Sequence, residues 1–247
     1  MEKRYLQLYS IKDEVFKDFV GSLKRVAALG YTGVEFFGGV YGDLKAPELK
    51  KILADLNLEA LSSHIKSDNV PEQLDYAIEL GIKYMIDPMQ KIKTYDDAMN
   101  FAQVLNEAGK KCADRGLPFG YHNHDHEFVP NGGGKEGTLM DTLILNTDPK
   151  LVCYQLDVGW ASYAKQDPVA FIKKYAGRFK MIHVKECNIN ADGNWNVPAG
   201  TGTVDWPAVK DAALAQGAEA FIIEREHDYA GDIFKCVEED CAFLKSL

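Results

Sequence analysis

The sequence predicts an α/β fold, a single (β/α)8 barrel with residues 1–247 in one domain. Eight short apolar runs alternate with eight longer amphipathic segments, which is the order of elements in a parallel barrel. Glycine or proline stands at many of the boundaries between them, where helices end or begin. The length of 247 residues is also typical of one such barrel.

The apolar runs are short enough for strands, and the segments between them have helical spacing. In chain order, the predicted strands cover residues 5–9, 33–37, 60–63, 84–86, 119–122, 152–156, 181–184 and 221–224. The predicted helices cover residues 15–29, 47–56, 71–80, 95–115, 139–145, 168–175, 206–216 and 233–247. Strict alternation implies parallel strands, and eight units favour a closed barrel over an open sheet. No glycine-rich phosphate loop follows the first strand, which further disfavours a dinucleotide-binding sheet.

Composition argues against several classes of function. The 28 Lys and Arg against 37 Asp and Glu give a net charge of −9, which disfavours binding to nucleic acid or to an anionic membrane. No apolar run approaches the ~20 residues of a membrane span, and the first residues lack the apolar core of a signal peptide. The five cysteines include no CxxC pair and fit reduced thiols. We therefore expect a cytoplasmic protein without nucleic-acid or membrane partners.

Residues of the metal-ligand type follow four of the predicted strands. His122 and His124 end the fifth strand, Asp157 the sixth, His183 the seventh and Glu224 the eighth. Because the C-terminal ends of barrel strands meet at one mouth, these side chains should lie together. Imidazole and carboxylate groups could hold a divalent cation there and leave positions open for a substrate. This pattern is typical of an enzyme.

Two of these residues also have a structural interpretation. Asp157 could cap the next helix, but that helix is predicted to begin at Pro168 with Asp167 as its own cap, which favours the ligand interpretation. Glu224 could form a salt bridge with Arg225 at the rim. A carboxylate after an apolar strand is costly to bury unless it is paired or bound to metal, so we prefer the ligand interpretation here as well.

Alternation along the strands places further polar residues at the same mouth. Lys185 shares the face of His183 and suits a substrate oxygen beside a cation, while Glu226 shares the face of Glu224. The other candidate substrate-binding residues are Glu35, His64, His124, Glu127 and Trp160. For the first two of these, a structural hydrogen bond is an equal alternative.

Two loops after predicted strands, at 131–137 and 188–204, should lie on the face of the barrel that carries the site. A plain surface loop is the simpler interpretation of each. The position of the second loop favours a functional role. His126 fits a loop residue after the fifth strand.

The motifs together resemble the xylose isomerase-like TIM-barrel family, the sugar phosphate isomerase/epimerase group. The resemblance lies in residues 6–10, 33–37, 121–124, 127–128, 156–160, 183–186, 200–206 and 223–224. It implies a cation held by Glu, Asp, His and Glu from the last four strands, of which Asp157, His183 and Glu224 match three. His122 stands where many members carry Glu, so the fourth ligand is open among His122, His124 and Glu127. The segment around His122 is also similar to the inosose dehydratase branch and to members that act on 3-keto-sugars.

The resemblance implies a divalent-metal-dependent isomerase or epimerase of a small sugar or keto-sugar. Mn²⁺ is the expected cation, with Mg²⁺, Co²⁺ and Zn²⁺ as alternatives. Proton abstraction next to a carbonyl would be the first step, with Glu224 or His122 as general base and Lys185 on a substrate oxygen. The alternative is a lyase or dehydratase that acts by β-elimination on a keto-inositol or 3-keto-glycoside, including a deglycosidase.

Two other classes are less favoured. One is an endonuclease IV-like DNA repair enzyme, which the acidic charge disfavours, and the other is a non-catalytic sugar-binding barrel. The expected partner is a small sugar-derived molecule. A homo-oligomer or a small partner subunit stays open.

Overall fold

The barrel predicted from the sequence is present. The computed structural model describes residues 1–190, 195–226, 229 and 231–247. Eight parallel strands pair in chain order and close between the first and the last. They are β1 (Tyr5–Gln7), β2 (Gly33–Phe37), β3 (Glu59–His64), β4 (Tyr84–Asp87), β5 (Phe119–His122), β6 (Val152–Asp157), β7 (Phe179–Val184) and β8 (Ala220–Ile223).

The α-helices surround the barrel, and their boundaries lie close to most of the predicted ones. They are α1 (Lys12–Lys17), α2 (Phe19–Ala28), α3 (Ala46–Asp55), α4 (Val70–Leu80), α5 (Tyr95–Ala113), α6 (Leu139–Asn146), α7 (Val158–Tyr163), α8 (Pro168–Lys174), α9 (Trp206–Ala215) and α10 (Ile233–Ser246). Within the described ranges, no helix is long and apolar enough to cross a membrane.

The helix predicted at 15–29 is two helices, which corrects the sequence interpretation. Asp18 between them is extended, with φ −152° and ψ 90°. Its side chain accepts a 2.8 Å hydrogen bond from the Gly21 backbone N–H and so caps α2. Asp competes with the helical backbone in this way, which favours a new start over a continuous helix.

The barrel interior changes from apolar to polar toward the C-terminal ends of the strands. Its lower part is an apolar cluster of Tyr5, Leu61, Tyr84, Ile86, Met181, Ala220 and Ile222. Because side chains alternate along a strand, the next inward position on β7 is His183, followed by Lys185 beyond the strand. The same step beyond β8 leads to Glu224. A dry base therefore supports a polar layer below the mouth.

Asp141 links two helices of the outer layer and leads to a prediction about acid stability. Its carboxylate accepts hydrogen bonds from Lys174 Nζ at 2.8 Å, Tyr175 OH at 2.6 Å and Thr138 N at 2.7 Å. Burial alone would raise the pKa of Asp141, but these hydrogen bonds outweigh it and lower the pKa. A lowered pKa stabilises the fold above the unfolded-state value, and this contribution is lost as pH falls through the folded-state value.

We expect Asp141→Asn to lower the melting temperature at pH 7, because charge-assisted hydrogen bonds are lost. We expect the free energy of unfolding to fall by about 1–2 kcal/mol. Each kcal/mol corresponds to a fall of roughly 2–4 °C in melting temperature. The difference from the native chain should shrink below about pH 4, near the ordinary Asp pKa. Thermal unfolding at pH 7 and pH 3 measures both effects. Asp97→Asn is the matched control, because Asp97 forms the same capping box on α5 but is exposed. An equal effect of both substitutions at pH 7 would contradict the assignment.

Candidate metal centre

Four ligand-type side chains meet at the polar end of the barrel. They are His122 at the end of β5, Asp157 at the end of β6, His183 in β7 and Glu224 directly after β8. All are buried, and one ligand atom of each lies within 4.8 Å of the others. Strand register brings them together, since Asp157 pairs directly with His183.

The nitrogen atoms that face the centre of this cluster are His183 Nδ1 and His122 Nε2. His183 Nδ1 lies 2.8 Å from Glu224 Oε2 and 3.9 Å from Asp157 Oδ2. His122 Nε2 also lies 3.9 Å from Asp157 Oδ2. Burial, with positive neighbours second, lowers the pKa of His122 well below its usual range. His122 is therefore a neutral imidazole, the form in which histidine binds metals.

Lys185 supplies positive charge to the cluster. Its fully buried ammonium lies 3.0 Å from Asp157 Oδ2, 3.1 Å from Glu224 Oε2 and 3.3 Å from Glu226 Oε2. The ring of Trp160 lies 5.1 Å away, within cation–π distance. Burial disfavours the ammonium, but the three carboxylates outweigh it and raise the pKa of Lys185. Lys185 therefore stays charged and draws the three carboxylates together.

Asp157 also caps a helix that the sequence interpretation missed. Helix α7 begins directly after β6, and Asp157 Oδ1 accepts a 2.9 Å hydrogen bond from Trp160 N. The next helix after β6 therefore begins at Val158 and not, as predicted, at Pro168, where α8 begins with Asp167 as its cap. The two roles of Asp157 are compatible, because Oδ2 is the oxygen that faces the cluster.

Glu35 is fully buried and is not among the residues that line the pocket above the cluster. Its fully buried carboxylate accepts hydrogen bonds at Oε1 from Gln7 and His183, both at 2.7 Å. At Oε2 it accepts from Ser62 and Gln155, both at 2.6 Å. Burial would raise the pKa of Glu35, but the nearby histidines outweigh it and hold the pKa well below the usual range. Both oxygens are occupied inside the barrel, which favours the structural hydrogen bond, one of the two interpretations given for Glu35, over contact with substrate.

Gln155 is a site residue that the sequence analysis missed. Its Oε1 lies 2.8 Å from His64 Nε2 and 3.0 Å from His122 Nδ1. Only its spacing could have marked it, because it stands two residues before Asp157 and so faces the same side of β6. His64, a predicted substrate-binding residue, joins this network and also lines the pocket above it.

His124 lies beside the cluster and lines the pocket. Its ring packs 5.1 Å from that of His122 and 5.4 Å from that of Trp160. Burial lowers the pKa of His124 to about 3, so the ring is neutral at pH 7. Within the described part of the chain, its buried Nδ1 has no hydrogen-bond partner. This nitrogen is therefore available to a ligand.

Glu127 and His126 lie apart from the four ligand atoms. The fully buried Glu127 carboxylate accepts hydrogen bonds from Tyr121 OH and, at 2.9 Å, from His124 N. His126 lies in a one-turn helix with its Nε2 2.8 Å from Gln90 O. The structure thus favours His122 over Glu127 as the fifth-strand ligand and gives no support for substrate binding by Glu127.

The loop after β7 packs over α7. Trp195 lies 4.5 Å from the ring of Trp160 and 4.8 Å from that of Tyr163. Glu186 anchors the other end of this loop by accepting hydrogen bonds from Gly200 N at 2.9 Å and Trp206 Nε1 at 2.7 Å. Residues 191–194, part of the loop predicted to be functional, lie outside the described residues. Trp160 thus forms a wall behind Lys185 and His124.

A pocket of about 290 Å³ opens above the cluster. Its polar lining residues are His64, His122, His124, Glu224 and Glu226. The other lining residues are Tyr9, Phe37, Gly38, Pro88 and Met89, which are apolar apart from the Tyr9 hydroxyl, together with Lys66. The volume is near the lower end of the roughly 300–1,000 Å³ of small-molecule sites. The pocket suits a small polar molecule with one apolar face.

The donor set fits a divalent cation. Two imidazoles and two carboxylates are ligands that transition metals accept. Asp157 Oδ2 is buried and, among the described residues, accepts no hydrogen bond of normal geometry even with the ammonium of Lys185 nearby. His64, His122 and His183 form a second group within 4.8 Å, but Gln155 already engages His64 Nε2 and His122 Nδ1. The candidate metal centre is therefore His122, Asp157, His183 and Glu224.

The protein is thus a closed α/β barrel with a candidate metal site at its mouth. The chain belongs to the xylose isomerase-like TIM-barrel family, whose model matches residues 23–247. A sugar phosphate isomerase/epimerase from Parabacteroides distasonis is 30% identical with a TM-score of 0.81, over all of this chain and 94% of that one. A second structure of that name from the same organism is 25% identical with a TM-score of 0.83, over 100% and 99% of the two chains. These findings confirm the family resemblance.

A curated relative carries another activity in its name. The inosose dehydratase of Clostridium beijerinckii is 28% identical over 158 residues, which cover 57% of this chain. The match spans 47% of that relative, or about half its length. Proteins similar to this chain thus include some named sugar phosphate isomerase/epimerase and others named inosose dehydratase.

Proposed function

We propose that this protein is a divalent-cation-dependent isomerase or epimerase of a small sugar or keto-sugar, with proton abstraction beside a carbonyl as its first step. The observation that carries the proposal is the floor of the pocket. There Glu224 and Glu226 meet the ammonium of Lys185 beside the candidate metal centre. A base, a cation site and a buried positive charge in one pocket are what enolisation requires.

Glu224 and Glu226 form a pair with opposite tendencies. Burial raises the pKa of both carboxyl groups; for Glu224, Lys185 and His183 outweigh it and hold the pKa well below the usual range. For Glu226 burial dominates, and the pKa is raised. When the surroundings of two neighbouring carboxyl groups lower one pKa and raise the other, the first typically acts as a base and the second as an acid. We therefore assign Glu224 as the general base and Glu226 as the proton donor.

The proton steps follow from this pair. Glu224 Oε2 contacts His183 and Lys185, so we assign the substrate proton to Oε1. The electron pair of the broken C–H bond forms a C=C bond, and the former carbonyl oxygen takes the negative charge. Lys185 lies behind Glu224, from where its positive charge stabilises the oxyanion, and His124, which lines the pocket, can donate a hydrogen bond to the same oxygen. Return of a proton to the same carbon from the other face re-forms the carbonyl and gives the epimer. Return to the former carbonyl carbon, with transfer of the neighbouring hydroxyl proton to the charged oxygen, gives the isomer.

Four residues, His122, Asp157, His183 and Glu224, would hold the cation. When bound, a divalent cation supplies Lewis-acid polarisation of the carbonyl and acidifies the neighbouring C–H bond. We propose Mn²⁺, with Mg²⁺, Co²⁺ and Zn²⁺ as alternatives. The apolar lining residues Tyr9, Phe37 and Met89 would contact the C–H face of a sugar ring.

A lyase or dehydratase is the second candidate, because the similarity to inosose dehydratase covers 57% of this chain. The intermediate formed by the first proton transfer, with its C=C bond and negatively charged oxygen, would lose a β-substituent. Glu226 would protonate the leaving oxygen. The substrate would then be a keto-inositol or a 3-keto-glycoside. The first proton transfer is common to both candidates, and the composition of the product differs between them. One experiment therefore tests the shared step and separates the two.

We expect the protein, incubated with Mn²⁺ and candidate keto-sugars in D₂O, to incorporate deuterium at the carbon beside the carbonyl. Deuterium enters because the proton removed by Glu224 exchanges with solvent before it returns. NMR of recovered substrate and product measures this. An isomerase or epimerase gives products of unchanged composition, whereas a lyase gives products that have lost water or an alcohol. Product formed with neither deuterium nor a primary isotope effect would contradict the mechanism.

A further inference from the structure

We propose that Gln155 and Glu35 are positioning residues that select the ring nitrogens through which His122 and His183 face the candidate metal centre. This inference rests on the proposed cation site. The hydrogen bonds below that site give a role to Gln155, a residue type that does not itself indicate a metal site. Glu35 acts on His183 directly and on His122 through Gln155.

The orientation of the Gln155 amide is fixed by its two ends. One terminal atom lies 2.6 Å from Glu35 Oε2. An ionised carboxylate only accepts hydrogen bonds, so this atom must be the NH₂ nitrogen. The other terminal atom is therefore the carbonyl oxygen, which can only accept. An amide that is often ambiguous has a single consistent orientation here.

The carbonyl oxygen of Gln155 in turn decides the tautomer of His122. His122 Nδ1 lies 3.0 Å from this oxygen and must carry the proton. A neutral imidazole has one N–H, so the lone pair is on Nε2. Nε2 is the nitrogen 3.9 Å from Asp157 Oδ2, inside the cluster. The same reasoning applies to His64, whose Nε2 lies 2.8 Å from the oxygen.

Glu35 orients His183 without an intermediary. Its Oε1 lies 2.7 Å from His183 Nε2, which therefore donates. By the same rule His183 Nδ1 donates to Glu224 Oε2 at 2.8 Å, so the ring carries both protons in the cation-free protein. Because Glu35 holds Nε2, Nδ1 is the nitrogen that faces the cluster, 3.9 Å from Asp157 Oδ2. A carboxylate behind a ligand histidine fixes the ring and raises its basicity. One fully buried carboxylate thus serves two histidines from different strands.

The network is saturated, which makes it sensitive to single changes. Among the described residues, Gln7 and His183 donate to Glu35 Oε1, and Ser62 and Gln155 donate to Oε2. His64 Nε2 also lies 3.2 Å from Oε1. These donors account for the roughly four acceptor sites of a carboxylate. Partly satisfied buried networks are costly, so the remaining members cannot adjust freely when one is removed.

The first test uses the unaltered, cation-free protein. Long-range ¹H–¹⁵N NMR at pH 7, with His122 assigned by comparison with His122→Gln, reports which ring nitrogen carries the proton. We expect the proton on Nδ1. A proton on Nε2 would overturn the proposal, whatever cation the protein binds.

The second test compares two glutamine substitutions at one carboxylate. Gln155→Met removes the acceptor of His122, whereas Gln7→Met removes a donor to Glu35 and is hydrogen-bonded to neither ligand histidine. We expect Gln155→Met to weaken Mn²⁺ binding about 10–100-fold, as for other residues behind metal ligands. Gln7→Met should weaken it much less. Titration with Mn²⁺, followed by EPR of the free ion, measures both affinities.

The outcomes separate this inference from the proposed function. Unchanged Mn²⁺ affinity in folded Gln155→Met would overturn it, as would equal losses in both variants at equal melting temperatures. If the unaltered protein binds no divalent cation, the proposed function fails. The proton position on His122 still decides whether Gln155 selects the tautomer.

Discussion

Replacement of Asp157 by Ser should abolish tight binding of a divalent cation and leave helix α7 in place. Asp157 contributes one oxygen to each role: Oδ1 caps α7 and Oδ2 faces the other candidate ligands. Ser is a good N-cap but offers one oxygen, so it can replace the cap and not the ligand. We expect at least a 100-fold loss of Mn²⁺ affinity, more than the ~10–100-fold typical of residues behind ligands. Calorimetric titration measures the affinity, and thermal unfolding monitors the fold.

Asp205→Ala provides the matched control for this prediction. Asp205 caps α9 through a 3.1 Å hydrogen bond from Ala208 N. Its loss should cost about 1 kcal/mol of stability and leave cation binding unchanged. Mn²⁺ affinity equal to that of the unaltered protein in Asp157→Ser would remove Asp157 from the metal centre.

The sequence could predict the barrel and the convergence of its ligand-type residues because both follow from local patterns. Each strand is a short apolar run, and each ligand-type residue stands at its C-terminal end, where parallel topology dictates the meeting point. His183 and Lys185 illustrate this, since alternation alone places them on one face. The assignment of His122 as a ligand stays a prediction, as do the other site roles.

What the sequence could not predict depends on contacts between strands that are distant in the chain. Glu35 and Gln155 are 120 residues apart, yet their side chains lie 2.6 Å from each other. Glu35 looked like a residue of the mouth because strand ends were judged by position and not by depth. Gln155 carried no signal beyond its spacing, since a glutamine in an apolar strand has no ligand chemistry of its own.

Helix α7 was missed for a different reason. Its six residues are too few for a helical period to be recognised, and Gly159 within it is unfavourable for helix. Gly159 is nevertheless needed, because a Cβ there would lie 2.6 Å from Lys185 O. Tertiary packing has therefore overridden local propensity at the point where the chain leaves β6. The cap by Asp157 is part of the same solution.

Replacement of Glu224 by Gln should lower kcat by about 10²–10⁴-fold, the usual contribution of a positioned general base. The amide has the shape of the carboxylate but cannot accept the substrate proton. Glu224 is also a candidate ligand, so the rate must be measured at saturating Mn²⁺, with Mn²⁺ affinity determined separately. A fall in kcat that persists at saturation, with loss of deuterium exchange into substrate, assigns the base.

Glu226→Gln is the matched comparison, because Glu226 also contacts Lys185 and lines the same pocket. As a proton donor with a raised pKa, Glu226 should act below that pKa and lose its proton as pH rises through it. Glu226→Gln should therefore retain deuterium exchange, slow product formation and remove the decline of rate on the alkaline side. If Glu224→Gln retains exchange and Glu226→Gln abolishes it, the two roles are reversed. If both retain it, the base lies elsewhere in the pocket, and His124, which lines the pocket beside the cluster, is the next residue to test.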